Sequence, residues 1–245
     1  MKAMVLAAGV GSRLRPLTDD LPKALVEVGG KPVVEIVLRR LAAAGVRDVV
    51  VNTFHHADQL ESFLGRCADL GLRIAVSREA ELLDTGGGLK KAAPHLAGDA
   101  PFFLHNADVV SAVDLHRLLV AHLKGGALAT LSVRERAASR LLLFDSRGCL
   151  CGWERPGTGE QEWVGKPTGS VSRLGFDGIQ AVSPGIFAKL SEEGAFSLTR
   201  AYLRLAAAGE RIAALRADAY FWAEIGSPDK LAAVQRHVAA HGLPI

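Results

Sequence analysis

The amino-terminal segment LAAGVGSRLRPLTDDLPK contains the densest group of residues that could do chemistry. Gly9 and Gly11 follow an apolar run, and Arg13, Arg15 and Lys23 come shortly after them. Glycines let backbone N–H groups approach a phosphate closely, and the cationic side chains can neutralise its charge. These residues predict a phosphate-binding loop, although a tight turn with solvated basic side chains would give the same pattern.

The two commonest phosphate-binding motifs are absent from this segment. A dinucleotide-binding fingerprint needs a third glycine where Leu14 stands, and an acidic residue after the second predicted strand, where Asn52 and Thr53 stand. A P-loop needs a Gly-Lys-Ser/Thr sequence, which the chain lacks. The segment is therefore glycine-rich and basic without being either motif, and a dinucleotide-dependent oxidoreductase is disfavoured.

Two later segments carry further candidate residues. The run LDTGGG at 83–88 is either a nucleotide-binding loop or the glycine-rich start of a helix. The segment His105-Asn106-Ala107-Asp108 directly follows the predicted strand 102–104. A carboxylate at the carboxyl end of a strand suits a hard cation that bridges phosphates, whereas the other interpretation of Asp108 is a helix or turn cap.

The first segment resembles the signature of the sugar-1-phosphate nucleotidyltransferases, also called NDP-sugar pyrophosphorylases. The pattern of that family, L-A-A-G-x-G-x-R-L-x-P-L-T followed by P-K, is matched from Leu6 to Lys23. Further segments match in the expected order, namely LDTGGG, HNAD at 105–108, GKP at 165–167 and WAEIGSP at 222–228. The resemblance therefore covers nearly the whole chain.

This resemblance implies transfer of a nucleotidyl group from an NTP to a sugar 1-phosphate, with pyrophosphate as the second product and Mg²⁺ as the cofactor. The short length and the Thr85–Gly88 loop are most similar to members that uridylylate N-acetylmuramate 1-phosphate, so UTP and this acceptor are the expected substrates. Guanylyl transfer from GTP to mannose or heptose 1-phosphate is the alternative. A second alternative is a non-catalytic subunit that binds a nucleotide without turnover.

The resemblance also assigns roles to individual residues. The residues expected at the reaction centre are Arg13, Lys23 and Asp108. The residues expected to bind the nucleotide are Leu6, Ala7, Ala8, Gly9, Gly11, Ser12, Arg13, Lys23, Thr85, Gly86, Gly87 and Asn106. The residues expected to bind the sugar are Lys166, Asp177 and Gly178. The expected ligands of Mg²⁺ are Asp108 and Glu224.

Three positions depart from the family pattern. Ala107 replaces a glycine, Gly165 replaces an acidic residue, and Glu224 replaces the aspartate that is the second metal ligand in the family. The additional methylene of Glu224 moves its oxygens by about 1.5 Å. Mg²⁺ demands near-octahedral geometry at about 2.0–2.1 Å. Glu224 is therefore expected to bind the metal either directly, through a rotated side chain, or through a water molecule.

The first half of the chain alternates predicted strands with predicted helices. The predicted strands are 3–8, 46–53, 72–76 and 102–104, and the predicted helices are 32–44, 57–64, 86–93 and 115–123. Such alternation predicts βαβ units and a doubly wound sheet. Further on, we predict strands at 127–133, 141–144, 149–153 and 174–182, a loop or lid at 154–172, and helices at about 198–208 and from Pro228.

The predicted fold class is α/β. The resemblance specifies a Rossmann-like three-layer α/β/α nucleotidyltransferase domain with a mixed, mostly parallel central sheet. We expect a single domain over 1–245, with a nucleotide-binding half at about 1–125 and a sugar-binding half at about 126–245.

The composition places the chain among ordinary globular proteins. Hydrophobic residues make up 49% and charged residues 22% of the 245 residues, which excludes a disordered, collagenous or coiled-coil protein. The net charge is only +3 and no Lys/Arg block occurs, so nucleic acid is not an expected partner. No apolar run approaches the roughly 18 residues of a membrane span. We expect a cytoplasmic monomer or homodimer with no membrane partner.

Overall fold

The computed structural model describes all residues from Met1 to Ile245. Its strands, numbered in chain order, are β1 (Lys2–Leu6), β2 (Glu27–Val28), β3 (Lys31–Pro32), β4 (Asp48–Thr53), β5 (Arg73–Arg78), β6 (Phe102–Asn106), β7 (Val109–Ser111), β8 (Ala129–Arg134), β9 (Leu141–Phe144), β10 (Leu150–Arg155), β11 (Glu160–Trp163), β12 (Ser172–Val182), β13 (Ile212–Arg216) and β14 (Trp222–Glu224). Its helices are α1 (Val33–Ala43), α2 (Ala57–Leu64), α3 (Asp84–Lys91), α4 (Ala93–Leu96), α5 (Leu115–Gly125), α6 (Leu198–Ala207) and α7 (Pro228–His241).

The central layer is one mixed sheet. Its strands lie in the order β5-β4-β1-β6-β12-β8-β13, and all of them except β12 point in the same direction. The antiparallel strands β9, β10 and β11 extend this sheet from the first part of β12, where Ser172–Leu174 pair with β9. The predicted mixed, mostly parallel sheet is therefore confirmed.

The pleat of the sheet divides the core into two layers of side chains. In β1, Ala3 and Val5 join a core that contains side chains of α1, α2 and α5. Met4 points the other way, into a core that contains side chains of α3, α4 and α6. Because successive strand residues face opposite sides, one apolar strand can bury both of its faces. This arrangement is the predicted three-layer α/β/α architecture.

A third, smaller core connects the two ends of the chain. Leu14 of the amino-terminal segment is fully buried there, together with Ile225 and with Leu231, Val234 and Val238 from the region of α7. The carboxy-terminal helix therefore packs beneath the amino-terminal segment. This packing brings the segment that contains Arg13 close to Gly226.

Some elements differ from the sequence predictions. Part of the predicted loop 154–172 is the strand β11, which pairs with β10 along Glu160–Trp163. Its sequence EQEW is polar and mostly exposed, so it lacks the alternation that identifies a half-buried strand. The strand β13 was not predicted, because its sequence IAALR has no period-2 pattern and its pairing with β8 is long-range. No helix of the protein combines the length and the apolar character needed to cross a membrane.

Candidate active site

A cavity of about 330 Å³ opens at the carboxyl ends of β1, β4 and β6. Leu6 at the end of β1 is paired with Asn52 of β4 on one side and with Asn106 of β6 on the other. These three residues form a row across the floor of the cavity. Parallel α/β sheets bind ligands at this edge. Most of the predicted nucleotide-binding and reaction-centre residues line the cavity: Leu6, Ala7, Ala8, Gly9, Gly11, Ser12, Arg13, Lys23, Thr85, Asn106 and Asp108.

The glycine-rich segment needs a glycine at position 11. Gly11 has φ of +71°, and a Cβ atom there would stand 3.0 Å from Cγ2 of Thr18 and 3.1 Å from Cβ of Lys23. The hydroxyl of Thr18, which is buried, donates to the carbonyl oxygen of Gly11 at 2.9 Å. The threonine of the signature therefore folds the segment back on its own glycine. This fold carries Lys23 to the same cavity as Gly11.

Asn52 is a cavity residue that sequence reasoning did not assign. Its Oδ1 accepts a hydrogen bond from the backbone N–H of Ala7 at 2.7 Å, and its Nδ2 donates to Oε1 of Glu79 at 2.8 Å. The other oxygen of Glu79 accepts from the N–H of Leu83 at 3.0 Å. Asn52 and Glu79 are both buried, so this chain of hydrogen bonds fixes the position of the signature segment relative to the start of α3. A polar residue at the end of a predicted buried strand was the available signal.

The glycines at the start of α3 allow close packing. A Cβ atom on Gly86 would stand 2.2 Å from the ring of Phe196, and one on Gly87 would stand 2.3 Å from the carbonyl oxygen of Gly194. The absence of side chains therefore lets the loop before α6 approach α3 closely. Thr85 and Asp84 line the cavity, whereas Gly86 and Gly87, which were also expected to bind the nucleotide, do not line it.

Asp108 and Glu224 lie on neighbouring backbone segments, and Asp108 lines the cavity whereas Glu224 does not. Glu224 of β14 is paired with Val109 of β7, and the N–H of Ile225 donates to the carbonyl oxygen of Asp108 at 3.0 Å. The structure therefore brings Asp108 and Glu224 together from distant parts of the sequence. Each carboxylate contacts a lysine ammonium group, Asp108 that of Lys23 and Glu224 that of Lys230.

The oxygen donors of this pair fit Mg²⁺. A hard cation takes oxygen ligands, and Mg²⁺ is commonly held by one or two carboxylates together with substrate phosphates and water. No group of three or more His, Cys, Asp and Glu side chains suited to a metal occurs in the protein. A metal held here would therefore depend on phosphate oxygens to complete its coordination. The lysine contacts show that both carboxylates already attract positive charge.

Ala107 fits the strand end despite its Cβ atom. It is buried, it has no left-handed φ, and its N–H donates to the carbonyl oxygen of Leu6 at 3.0 Å.

His105, two residues before Ala107, is fully buried, and burial lowers its imidazole pKa to about 4. His105 is therefore neutral at pH 7 and adds no charge beside Asp108.

Two of the predicted sugar-binding residues lie away from the cavity. Lys166 is exposed on the segment after β11, which is anchored by the N–H of Thr168 donating to Oδ2 of Asp145 at 3.2 Å. Burial acts to raise the pKa of Asp145, but hydrogen bonds from the N–H groups of Cys149, Thr168 and Arg147 lower it below its usual value. Lys166 does not line the cavity.

Asp177 differs most from its predicted role. Its carboxylate is completely buried and accepts two hydrogen bonds from Arg134, from Nε at 2.8 Å and from Nη2 at 3.1 Å, and one from the hydroxyl of Ser132 at 2.7 Å. Its backbone carbonyl accepts from Nε1 of Trp222 at 2.7 Å. The irregularity in β12 between Phe176 and Gln180 turns this side chain inward. Asp177 is therefore an internal ion-pair residue, and the predicted sugar contact by its side chain was wrong.

Gly178 lies directly behind a cavity residue. It has φ of +74°, and a Cβ atom there would stand 2.6 Å from Nδ2 and 2.9 Å from Cγ of Asn106. Asn106 lines the cavity, so the absence of a side chain at position 178 sets the position of that amide.

Replacing Gly178 with alanine is expected to disturb both stability and the cavity. The left-handed φ alone costs about 1 kcal/mol, and the clash with Asn106 adds about 1–3 kcal/mol. Displacement of the Asn106 amide is expected to lower the kcat/KM for the NTP about tenfold. Gly157→Ala is the matched control, because Gly157 has φ of +81° and open space around its Cβ position. Urea unfolding and steady-state kinetics on both variants check this; equal losses in the two would contradict it.

Comparison with known proteins agrees with this geometry. Residues 2–141 match the family model described as Nucleotidyl transferase. The N-acetylmuramate alpha-1-phosphate uridylyltransferase of Caulobacter vibrioides is 38% identical over 96% of this chain and 96% of that protein. The mannose-1-phosphate guanylyltransferase catalytic subunit beta of Drosophila pseudoobscura is 32% identical over 93% of this chain, and the match spans 59% of that protein.

The fold also occurs in solved structures. HddC from Yersinia pseudotuberculosis, crystallised with GMP-PN, superposes with a TM-score of 0.76 over 96% of this chain and 98% of that chain. The two sequences are 19% identical. At that identity the similarity shows that the two proteins share a fold.

Proposed function

Because the chain belongs to the nucleotidyl transferase family, we propose that it transfers the uridylyl group of UTP to N-acetylmuramate 1-phosphate. The products are the UDP-sugar and pyrophosphate. The observation that carries this proposal is the cavity lined by the signature segment, the start of α3 and Asp108, with Glu224 on the strand that pairs next to Asp108. Guanylyl transfer to mannose or heptose 1-phosphate is the second candidate, favoured by the match to the guanylyltransferase subunit.

Full-length similarity favours the uridylyl reaction. The uridylyltransferase of Caulobacter is matched over nearly all of both chains, whereas this chain spans about three fifths of the guanylyltransferase subunit. The uridylyltransferase is also the more similar of the two in sequence. These comparisons support UTP over GTP as the donor.

The lining of the cavity suits the two parts of an NTP. Arg13 and Lys23 are cationic and Asp108 is a metal-binding carboxylate, and these groups suit phosphates. Leu82 and Thr85 supply an apolar surface and a hydroxyl, which suit the nucleoside. We place the triphosphate beside the first group and the uridine beside the second, with the acceptor on the side of Asn106 and Gly178.

The reaction requires no protein nucleophile. A phosphate oxygen of the acceptor attacks the α-phosphorus in line, the bond from that phosphorus to the bridging oxygen breaks, and pyrophosphate leaves with the electron pair. A phosphate monoester is largely ionised at neutral pH, so no strong general base is needed either. The residues of the chain therefore act by positioning the reactants and by stabilising charge.

Individual roles follow from this placement. Arg13 stabilises the negative charge that develops on the leaving pyrophosphate, and Lys23 holds the α-phosphate or the acceptor phosphate. Asp108 and Glu224 would hold Mg²⁺, which supplies charge neutralisation and orientation to the phosphates when it is bound. Gly11 keeps the backbone of the signature segment close to the nucleotide.

Pyrophosphate release tests the proposal. The enzyme is assayed with Mg²⁺ and UTP, GTP, CTP or dTTP, each with N-acetylmuramate, N-acetylglucosamine, glucose, mannose or heptose 1-phosphate. We expect the highest kcat/KM for UTP with N-acetylmuramate 1-phosphate. A maximum for GTP with mannose or heptose 1-phosphate would instead support the second candidate. No release from any pair, with nucleotides still raising the Tm, would indicate a binding subunit.

A further inference from the structure

A lysine that was not predicted to belong to the site forms an ion pair with one of the two proposed metal-binding carboxylates. The ammonium group of Lys230 contacts the carboxylate of Glu224. Lys230 is the third residue of α7, a helix that begins two residues after Gly226 of the cavity wall. The side chain of Lys230 is 48% exposed and that of Glu224 is 24% exposed. The pair therefore lies at the surface beside the cavity, where a ligand can reach it.

Gly226 marks the point where this pair meets the phosphate end of the cavity. A Cβ atom on Gly226 would stand 3.4 Å from Nη2 of Arg13 and 3.5 Å from Oε2 of Glu224. The guanidinium of Arg13 and the carboxylate of Glu224 thus both lie beside Gly226, and the ammonium of Lys230 contacts that carboxylate. We refer to these three groups as the Gly226 cluster.

The charges of the Gly226 cluster and of the Lys23–Asp108 pair favour a polyanion. Arg13, Lys23 and Lys230 are three cations around the two carboxylates of Asp108 and Glu224, which leaves one positive charge in excess. In this state the lysines are neutralised by the carboxylates. Asp108 and Glu224 would hold a divalent cation, and the ammonium groups of Lys23 and Lys230 would then be available to phosphates.

We propose that Lys230 is a third phosphate-binding cation of the site, which binds the pyrophosphate part of the nucleotide and the pyrophosphate product. This inference rests on the proposed function, because it assumes that phosphates lie between Arg13 and Glu224. Lys230 then acts on the same leaving group as Arg13. The competing explanation is that Lys230 only neutralises Glu224.

A double-mutant cycle separates the two explanations. Inorganic pyrophosphate is titrated by calorimetry into the wild type, Glu224→Gln, Lys230→Met and the double variant, first in EDTA and then with Mg²⁺. In the Glu224→Gln background Lys230 has no carboxylate to neutralise, so any further effect of Lys230→Met reports a direct contact with phosphate. Because the contact is charge-assisted and partly exposed, we expect the double variant to bind pyrophosphate about tenfold more weakly than Glu224→Gln.

Controls make the outcome unambiguous. Lys189→Met removes a comparably exposed lysine that also pairs with a glutamate, Glu210, and is expected to leave pyrophosphate affinity unchanged. Lys230→Arg keeps the charge and is expected to bind within about threefold of the wild type. Equal affinities of Glu224→Gln and the double variant, with and without Mg²⁺, overturn the role of Lys230. No binding of pyrophosphate by the wild type under either condition contradicts the proposed function itself and, with it, this inference.

Discussion

The Asp108→Asn variant is expected to lose about 10²- to 10³-fold in kcat with Mg²⁺ while it remains folded. The substitution keeps the shape of the side chain but removes one of the two negative charges at the reaction centre. Preorganised charge at a reacting phosphate contributes effects of about this size. It also leaves the ammonium group of Lys23, which contacts Asp108, without its carboxylate partner. Steady-state pyrophosphate release measures the loss.

A surface aspartate provides the matched control for Asp108. Asp69 pairs with Arg39 at 3.1 Å, and its side chain is 65% exposed. Asp69→Asn is expected to retain kcat within about twofold, since exposed ion pairs contribute little. Calorimetric titration of Mn²⁺ into both variants adds a readout that does not depend on turnover. Full turnover of Asp108→Asn with Mg²⁺ would remove Asp108 from the proposed metal site.

The second large effect concerns stability. The Asp177→Asn variant is expected to lose about 3–5 kcal/mol of unfolding free energy, because it breaks a buried, two-point ion pair and leaves the guanidinium of Arg134 without its counter-charge. Ser132 also loses its charged acceptor. Urea unfolding monitored by circular dichroism measures the change.

Two further variants test whether burial is the cause. Asp48 makes a similar two-point pair with Arg73, but the two side chains are 37% and 76% exposed. Asp48→Asn is therefore expected to cost less than about 1 kcal/mol. The double variant Arg134→Met, Asp177→Leu removes both buried charges and is expected to recover most of the lost stability. Similar losses of unfolding free energy for Asp177→Asn and Asp48→Asn would show that the buried ion pair contributes no more to stability than the exposed one.

The part of the site that follows one continuous motif was predictable from sequence. Leu6 to Lys23 fold into a single loop around Gly11 and Thr18, so neighbours in sequence become neighbours in the cavity. Asn52 was missed because its role depends on the pairing of β4 with β1, which places it beside Leu6. The local sequence marks Asn52 only as a polar residue at the end of a predicted buried strand, and it does not show which strand pairs beside it.

Asp177 was assigned a role that its position in the structure does not allow. The family resemblance assigned Asp177 to the sugar site, whereas the bulge in β12 turns its carboxylate onto Arg134. The partner lies 43 residues away in sequence, so no local pattern could reveal the pair. The proximity of Asp108 and Glu224, in contrast, was expected from the family resemblance, and the pairing of β7 with β14 supplies its physical basis.

The attachment of β9, β10 and β11 has an evolutionary consequence. Within the sheet this three-stranded unit joins β12 through three residue pairs, at Ser172, Arg173 and Leu174. The pairs that connect β12 to β6 and β8 are separate from these, and they include Ile179–Val182, next to the floor of the cavity. Side chains of β9 and β10 share a core with Met4 and Leu104, so replacement of these strands would disturb the packing. Changes of length in the turns between the outer strands, in contrast, leave the register at the cavity unchanged. These turns are therefore the positions at which relatives can differ in length without moving the strand ends that line the cavity.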